Sequence, residues 1–211
     1  MKYIANQTND HGLDEVQRLL LAYTLNQNVA LSGPPGIGKT ELVEEFAKAV
    51  GKQIYGDPLD EHMTEAPLIG FPVLEGSNGS TVSVWKNGWV TKAMDEGQIF
   101  YGDEFDLLSG SVQKRMNAAF DDRKAVTRRD GEVIPAEDGF FAVVSYNPSE
   151  RISKRQLEES VADRFVHQEF RYLPSDLEAA IASGDFNDIH LEKRGVLLKD
   201  NNLRFCKYDG S

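Results

Sequence analysis

Gly33-Pro34-Pro35-Gly36-Ile37-Gly38-Lys39-Thr40 fits the pattern G-x-x-x-x-G-K-[ST], and the rest of the chain is read outward from it. Before it, Asn28-Val29-Ala30-Leu31 has the apolar run of a short buried strand. After it, Glu41 to Val50 reads as a helix, with Leu42, Val43, Phe46, Ala47 and Val50 on one face and Gly51 as its stop. Strand, glycine loop, helix is the geometry in which a helix N-terminus and loop amides hold phosphate. The alternative is a glycine-proline turn carrying a surface lysine, and the matches below weigh against it.

The chemistry of the stretch can be argued residue by residue. Pro34 and Pro35 lack an N–H, so they stiffen the entry rather than donate. The anion donors are expected to be the amides from Gly36 through Ile37, Gly38 and Lys39 to Thr40. Gly36 and Gly38 have no Cβ, so the backbone can come close to the phosphates. Lys39 is expected to reach the β- and γ-phosphates, and the Thr40 hydroxyl to ligate Mg²⁺. The nucleotide-binding stretch is taken as Gly33 to Thr40 with Glu41 after it.

Composition sets bounds. The chain has 211 residues, enough for one ordinary domain or one with an appendage. At 40% hydrophobic and 27% charged residues it is globular in character. A formal net charge of −11 argues against general nucleic-acid binding, which needs a Lys/Arg surplus. No apolar run approaches the roughly 18 residues of a membrane span, and Met1 to Asn6 has no signal-peptide stretch. Cys206 is the one cysteine, which leaves no disulfide framework, and the four histidines show no metal spacing. A reducing cytoplasm is the expected location.

Further elements follow from periodicity. Leu13, Val16, Leu20 and Tyr23 predict a helix before the loop strand. Gln53-Ile54-Tyr55 predicts a second strand, Lys92 to Glu96 a short helix, and Gln98 to Gly102 a third strand. Ser111 reads as an N-cap for a helix carrying Val112, Met116, Ala119 and Phe120. Residues 69–84 and 125–134 each read as a hairpin, and Phe140 to Ser145 as a strongly apolar strand. Strands alternating with helices imply an α/β fold whose parallel sheet is covered on both faces.

The strand Ile99-Phe100-Tyr101-Gly102 runs into Asp103-Glu104. Beside a phosphate loop, Asp103 can hold the Mg²⁺ shell and Glu104 can deprotonate the attacking water. Taken alone, such a pair is more often a solvated turn. Four motifs then coincide: the loop, Trp85-Lys86-Asn87-Gly88, Asp103-Glu104, and Ser145-Tyr146-Asn147-Pro148. Ala162-Asp163-Arg164-Phe165 is a fifth.

In their order and spacing these motifs resemble the MoxR-type AAA+ ATPases, over about residues 10–175. The resemblance implies an AAA+ core at 1–174 with two hairpin insertions, followed by a shortened or atypical lid at 175–211. It implies ATP and Mg²⁺ as cofactors, a homo-oligomeric (hexameric) ring, and a protein client, possibly with a von Willebrand A-type domain. It makes Asn147 the sensor-1 residue, whose amide can donate and accept at once. It makes Arg164 an arginine finger acting on a neighbouring subunit's nucleotide, the alternative being a surface arginine paired with Asp163. Arg151 and Arg155 are further interface candidates, and Arg194 is a weak candidate for the lid's sensor-2 arginine.

The insertions would face the pore or the client. Trp85 and Trp89 are expected to anchor the first of them, and Arg128-Arg129 forms a basic patch at the tip of the second. Gly102 departs from the apolar residue usual in the family before the acidic pair and is expected to loosen that strand. The functional expectation is an Mg-dependent, ring-forming ATPase that remodels a partner. A chelatase-type motor subunit and a nucleotide-dependent binding switch with little turnover stand as alternatives.

Overall fold

The computed structural model of the protein describes residue 5 and residues 11–77, 80–147 and 157–172. The first half runs α1 (Glu15–Thr24), β1 (Asn28–Ser32), α2 (Lys39–Val50), β2 (Ile54–Tyr55), α3 (Ala66–Ile69), β3 (Gly70–Ser77), β4 (Ser80–Asn87) and α4 (Trp89–Asp95). The second half runs β5 (Ile99–Gly102), a 3₁₀ turn (Phe105–Leu107), α5 (Gly110–Arg115), α6 (Asn117–Phe120), β6 (Ala125–Thr127), β7 (Val133–Pro135), β8 (Phe141–Tyr146), α7 (Glu159–Ala162) and β9 (Phe165–Glu169).

Five strands form one parallel sheet in the order β2-β5-β8-β1-β9. The three inner strands, β5, β8 and β1, are buried almost throughout because both faces are covered. Alternation sorts the side chains between two layers. Val29, Leu31, Ile99, Tyr101, Phe141 and Val143 face α1 and α2 and meet Leu19, Leu42 and Phe46. Ala30, Phe100, Ala142 and Val144 face the other way, toward Leu68, Met94, Met116 and Phe120. Tyr23, Phe46 and Phe141 meet at ring centroid distances of 5.3 to 5.7 Å in the first layer. Phe120 lies 5.1 Å from Phe165 in the second.

Two antiparallel hairpins, β3–β4 and β6–β7, stand apart from the sheet at the places expected for insertions. Trp85 and Trp89 pack against the second layer. Arg128 and Arg129 are not an open basic patch. Arg128 pairs with Asp130 and Glu132 and lies 4.6 Å from the centre of the Trp85 ring. Arg129 Nε donates to Glu65 at 2.9 Å, and Arg115 Nε donates to the same carboxylate at 3.0 Å. Their charge is used to tie β6–β7 to the start of α3 and to β4.

Three local expectations need correction. Ser109, not Ser111, caps α5: its side chain accepts from the Val112 amide at 3.4 Å. The expected single helix is two short ones, with Met116 (φ −91, ψ −3) as the turn residue between α5 and α6. Helix α4 starts three residues before Lys92, at Trp89, with Gly88 as its N-cap. In α1 the capping box of Asp14 and Gln17 sets the start, and Leu19 and Ala22 are the buried apolar residues. Leu20 and Tyr23 sit at the edge of that contact. Gly102 stays in register opposite Val144, and a Cβ there would lie 3.0 Å from Phe105 and 3.2 Å from Leu59. Tight packing accounts for that glycine. Pro148, Arg151, Arg155, Arg194, Cys206 and the expected lid lie outside the described residues.

Candidate functional site

The glycine loop leaves the end of β1, and the Gly33 amide donates to the Tyr146 carbonyl at 3.3 Å as it turns. Gly38 takes a left-handed conformation at φ 89 and is the N-cap of α2. It has no side chain to cap the first-turn amides. The positive end of a 12-residue helix is turned to the loop. Lys39 is buried, and its ammonium donates to Gly33 O at 2.7 Å, Pro34 O at 3.0 Å and Asn147 Oδ1 at 2.8 Å. Asn147 reaches it because β8 lies beside β1 and both strands end at the same level.

β5 delivers the acidic pair to the same end of the sheet. Asp103 Oδ1 accepts from the buried Ser145 hydroxyl and from the Glu104 amide at 3.1 Å. Asp103 Oδ2 is 3.5 Å from Thr40 Oγ1. The Asp103 carbonyl also accepts from the Leu59 amide at 3.0 Å, which fixes the backbone from the β2 side. Glu104 sits in the left-handed region at φ 55 and ψ 40, a conformation that costs a non-glycine residue on the order of 1 kcal/mol or more. Its carbonyl accepts from the Leu107 amide at 2.9 Å and its amide donates toward Asp103 and Ser145. The strained turn is therefore held from both sides.

The Tyr101 phenol lies 3.3 Å from Thr40 Oγ1. Burial, with the Asp103 charge adding to it, pushes this phenol well above its ordinary pKa, so it stays protonated. Thr40 and Asp103 together offer a hydroxyl and a carboxylate, the hard oxygen donors that suit Mg²⁺. Among the described residues no group of three or more His, Cys, Asp or Glu is gathered to hold a metal by protein side chains alone. A cation at Thr40 and Asp103 would therefore complete its shell with phosphate and water, as Mg²⁺ commonly does.

Arg164 lies at the other end of the sheet. β9 pairs with β1 so that Asn28 is opposite Phe165 and Ser32 opposite Glu169. Arg164 is thus level with the start of β1 while the loop follows its end, on the order of 16 Å along the strand. It lines a cleft of about 320 Å³ with Asn28, Phe120, Asp121, Lys124 and Phe165. Its Nε is buried without a hydrogen-bond partner. Asp121 is held below the usual carboxylate range first by its hydrogen bonds from Arg123, with the Arg164 charge adding to them. Arg164 is not brought to the loop of its own chain, whereas Lys39, Thr40, Asp103, Glu104 and Asn147 are brought together.

Residues 28–165 match the family described as AAA domain (dynein-related subfamily). The chain belongs to that family. The match takes in β1, the loop, the acidic pair, Asn147 and Arg164, and it bears out the MoxR-type resemblance drawn from the motifs. The chain is 35% identical over 160 residues to protein NorQ of Paracoccus denitrificans (strain Pd 1222), covering 75% of this chain and 58% of that protein. It is 30% identical to protein CbbQ of Hydrogenophilus thermoluteolus, covering 81% and 62%, and 30% identical to the denitrification regulatory protein NirQ of Stutzerimonas stutzeri, covering 82% and 62%. It therefore spans only about three fifths of these relatives' length. A crystallised protein of Cytophaga hutchinsonii (ATCC 33406) superposes with a TM-score of 0.61 at 22% identity, over 81% of this chain and 50% of that one. That likeness shows the fold, an AAA+ α/β core.

Two polar groups of this AAA domain were not singled out for a role from sequence. Ser145 reads as part of a motif, and Tyr101 reads as one more aromatic in a core strand. Their hydroxyls gain meaning only from strand pairing, which sets Tyr101 opposite Val143 and places Ser145 beside the acidic pair. The same holds for Glu65, which accepts from both Arg115 and Arg129. Among the described residues no helix is long and apolar enough to cross a membrane.

Proposed function

We propose that the chain binds ATP with Mg²⁺ at the Gly33–Thr40 loop and hydrolyses it. The observation that carries this reading is the meeting of Lys39, Thr40, Asp103 and Asn147 at one end of the sheet: Lys39 Nζ is 2.8 Å from Asn147 Oδ1, and Thr40 Oγ1 is 3.5 Å from Asp103 Oδ2. The amides of Gly36 to Thr40 and the α2 dipole would hold the phosphates, with Lys39 contributing its charge. Thr40 and Asp103 would hold the cation, which supplies charge neutralisation on the phosphates.

Glu104 would take the proton of the attacking water. Asn147 would fix that water beside the loop. Arg164 would complete the site of a neighbouring copy, which its separation from its own loop supports. The chain then works as a ring-forming motor on a protein client, as its resemblance to MoxR-type proteins suggests. That a relative is named a denitrification regulatory protein fits a role exerted through other proteins.

The deciding experiment measures phosphate release and particle size together, with ATP alone, Mg²⁺ alone, and both. Phosphate release with growth in size only when both are present is expected. Nucleotide binding without release would leave a switch in place of a motor.

A further inference from the structure

Tyr101 stands in a strand that needs no hydroxyl to fold. Its ring lies in the apolar layer under α1 and α2. Its backbone is gripped on one side by β8 and on the other by Gly56, where a Cβ would come within 1.8 Å of the Tyr101 carbonyl. The phenol is thus carried to the C-terminal end of the sheet by a rigid frame, and there it meets Thr40 Oγ1 at 3.3 Å.

A threonine hydroxyl has one proton and two lone pairs. If it lends a lone pair to a cation, its proton must go to another acceptor. Asp103 Oδ2 is one acceptor, at 3.5 Å. It is also the carboxylate oxygen that remains for a cation, because Oδ1 already accepts from Ser145 and from the Glu104 amide. The Tyr101 oxygen is nearer to Thr40 and is neutral. The phenol oxygen keeps lone pairs to accept with while it holds its own proton.

We propose that Tyr101 is a positioning residue for the divalent cation of this site: its oxygen takes the Thr40 proton, which turns a Thr40 lone pair outward and leaves Asp103 Oδ2 free to face the same ion. The inference rests on the nucleotide-site reading above. It assigns Tyr101 to the outer shell of a metal site, where loss of an orienting partner typically weakens metal binding about 10- to 100-fold.

Tyr101→Phe removes one oxygen and keeps the ring. Binding of a fluorescent ATP analogue to the full chain is followed while Mg²⁺ is titrated, and again in EDTA. The variant is expected to need at least about tenfold more Mg²⁺ for half-saturation, with unchanged affinity in EDTA and a melting temperature near that of the wild type. In a Thr40→Ala background the same change is expected to add little, because its target is gone. Tyr101→Leu, which also lacks the hydroxyl, serves the same comparison should the phenylalanine variant not fold.

An unchanged Mg²⁺ requirement overturns the inference. So does an equal loss of affinity with and without Mg²⁺, which marks a distorted loop instead of a misplaced cation. A wild-type chain that binds the analogue with no Mg²⁺ linkage would overturn the site reading itself, and the role of Tyr101 with it.

Discussion

Lys39 and Asn147 are 108 residues apart in the chain, yet the lysine ammonium donates to the asparagine Oδ1 at 2.8 Å. The contact exists because β8 pairs with β1 in register and both strands deliver their following residues to one place. The group expected to hold phosphate and the group expected to place water are thereby tied to each other. Two backbone carbonyls, of Gly33 and Pro34, complete the cradle of the ammonium.

The first prediction concerns Lys39→Ala. Its side chain makes polar contacts at the loop and lies outside both apolar layers, so the fold is expected to survive. A hydrogen bond from a charged group is worth about 1.5–3 kcal/mol, so ATP affinity should fall by at least about tenfold. Calorimetric titration of ATP, with circular dichroism as the folding control, decides it. Equal affinity in the variant would remove the loop from the site.

Glu104→Gln is the test of chemistry. The variant keeps the backbone hydrogen bonds from Glu104 N and to Glu104 O that hold the strained turn. Loss of a general base lowers turnover about 10²- to 10⁴-fold, while ATP binding should persist. Single-turnover phosphate release measures it. Hydrolysis at the wild-type rate would show that another group activates the water.

How much of this was legible in the chain depends on what each feature obeys. β1, β5 and β8 were legible because a strand buried on both faces must be apolar throughout, and Val29-Ala30-Leu31 and Phe141 to Val144 are. The loop and the acidic pair were legible because their chemistry fixes residue types at neighbouring positions. The buried face of α1 was not, since Leu19-Leu20-Leu21 followed by Ala22 gives a helix no clear phase. Ser109-Gly110-Ser111 offered two hydroxyls for one cap, and only the backbone chooses between them. The hydroxyls of Tyr101 and Ser145 were invisible for a third reason: their partners are set by sheet register, not by sequence distance. Arg128 and Arg129 read as a free patch because the carboxylates and the ring that meet them come from other elements as well as their own.

The node at Glu65 leads to a prediction about pH. Hydrogen bonding from Arg129, with further help from Arg115, holds the Glu65 carboxyl below its ordinary range. A depressed folded-state pKa gives stability that is present above the unfolded pKa and lost as pH falls through the folded one. Both arginines are largely exposed, so the pair of bridges together should contribute no more than about 1 kcal/mol. Glu65→Gln should therefore lower the urea midpoint at about pH 7 and differ little from wild type at about pH 3. A difference that persists in acid would point to packing at the start of α3 instead of charge.

The last prediction concerns the two ends of the sheet. Arg164 precedes β9 at the level of Asn28, while the loop follows Ser32, so no single chain joins Arg164 to its own loop. If the arginine serves a neighbour, turnover per chain should rise with protein concentration as copies associate. Arg164→Ala should bind ATP nearly as well as wild type and lose turnover by roughly 10³- to 10⁵-fold, since such a group acts on transition-state charge. Mixing two inactive variants is the sharper test. A Glu104→Gln copy presents an intact Arg164 to an Arg164→Ala neighbour whose Glu104 is intact. Some shared sites then hold every group, and part of the activity should return. No recovery in complexes shown to contain both chains would confine Arg164 to the cleft it lines with Asp121 and Phe165, as a structural cation at the foot of the sheet.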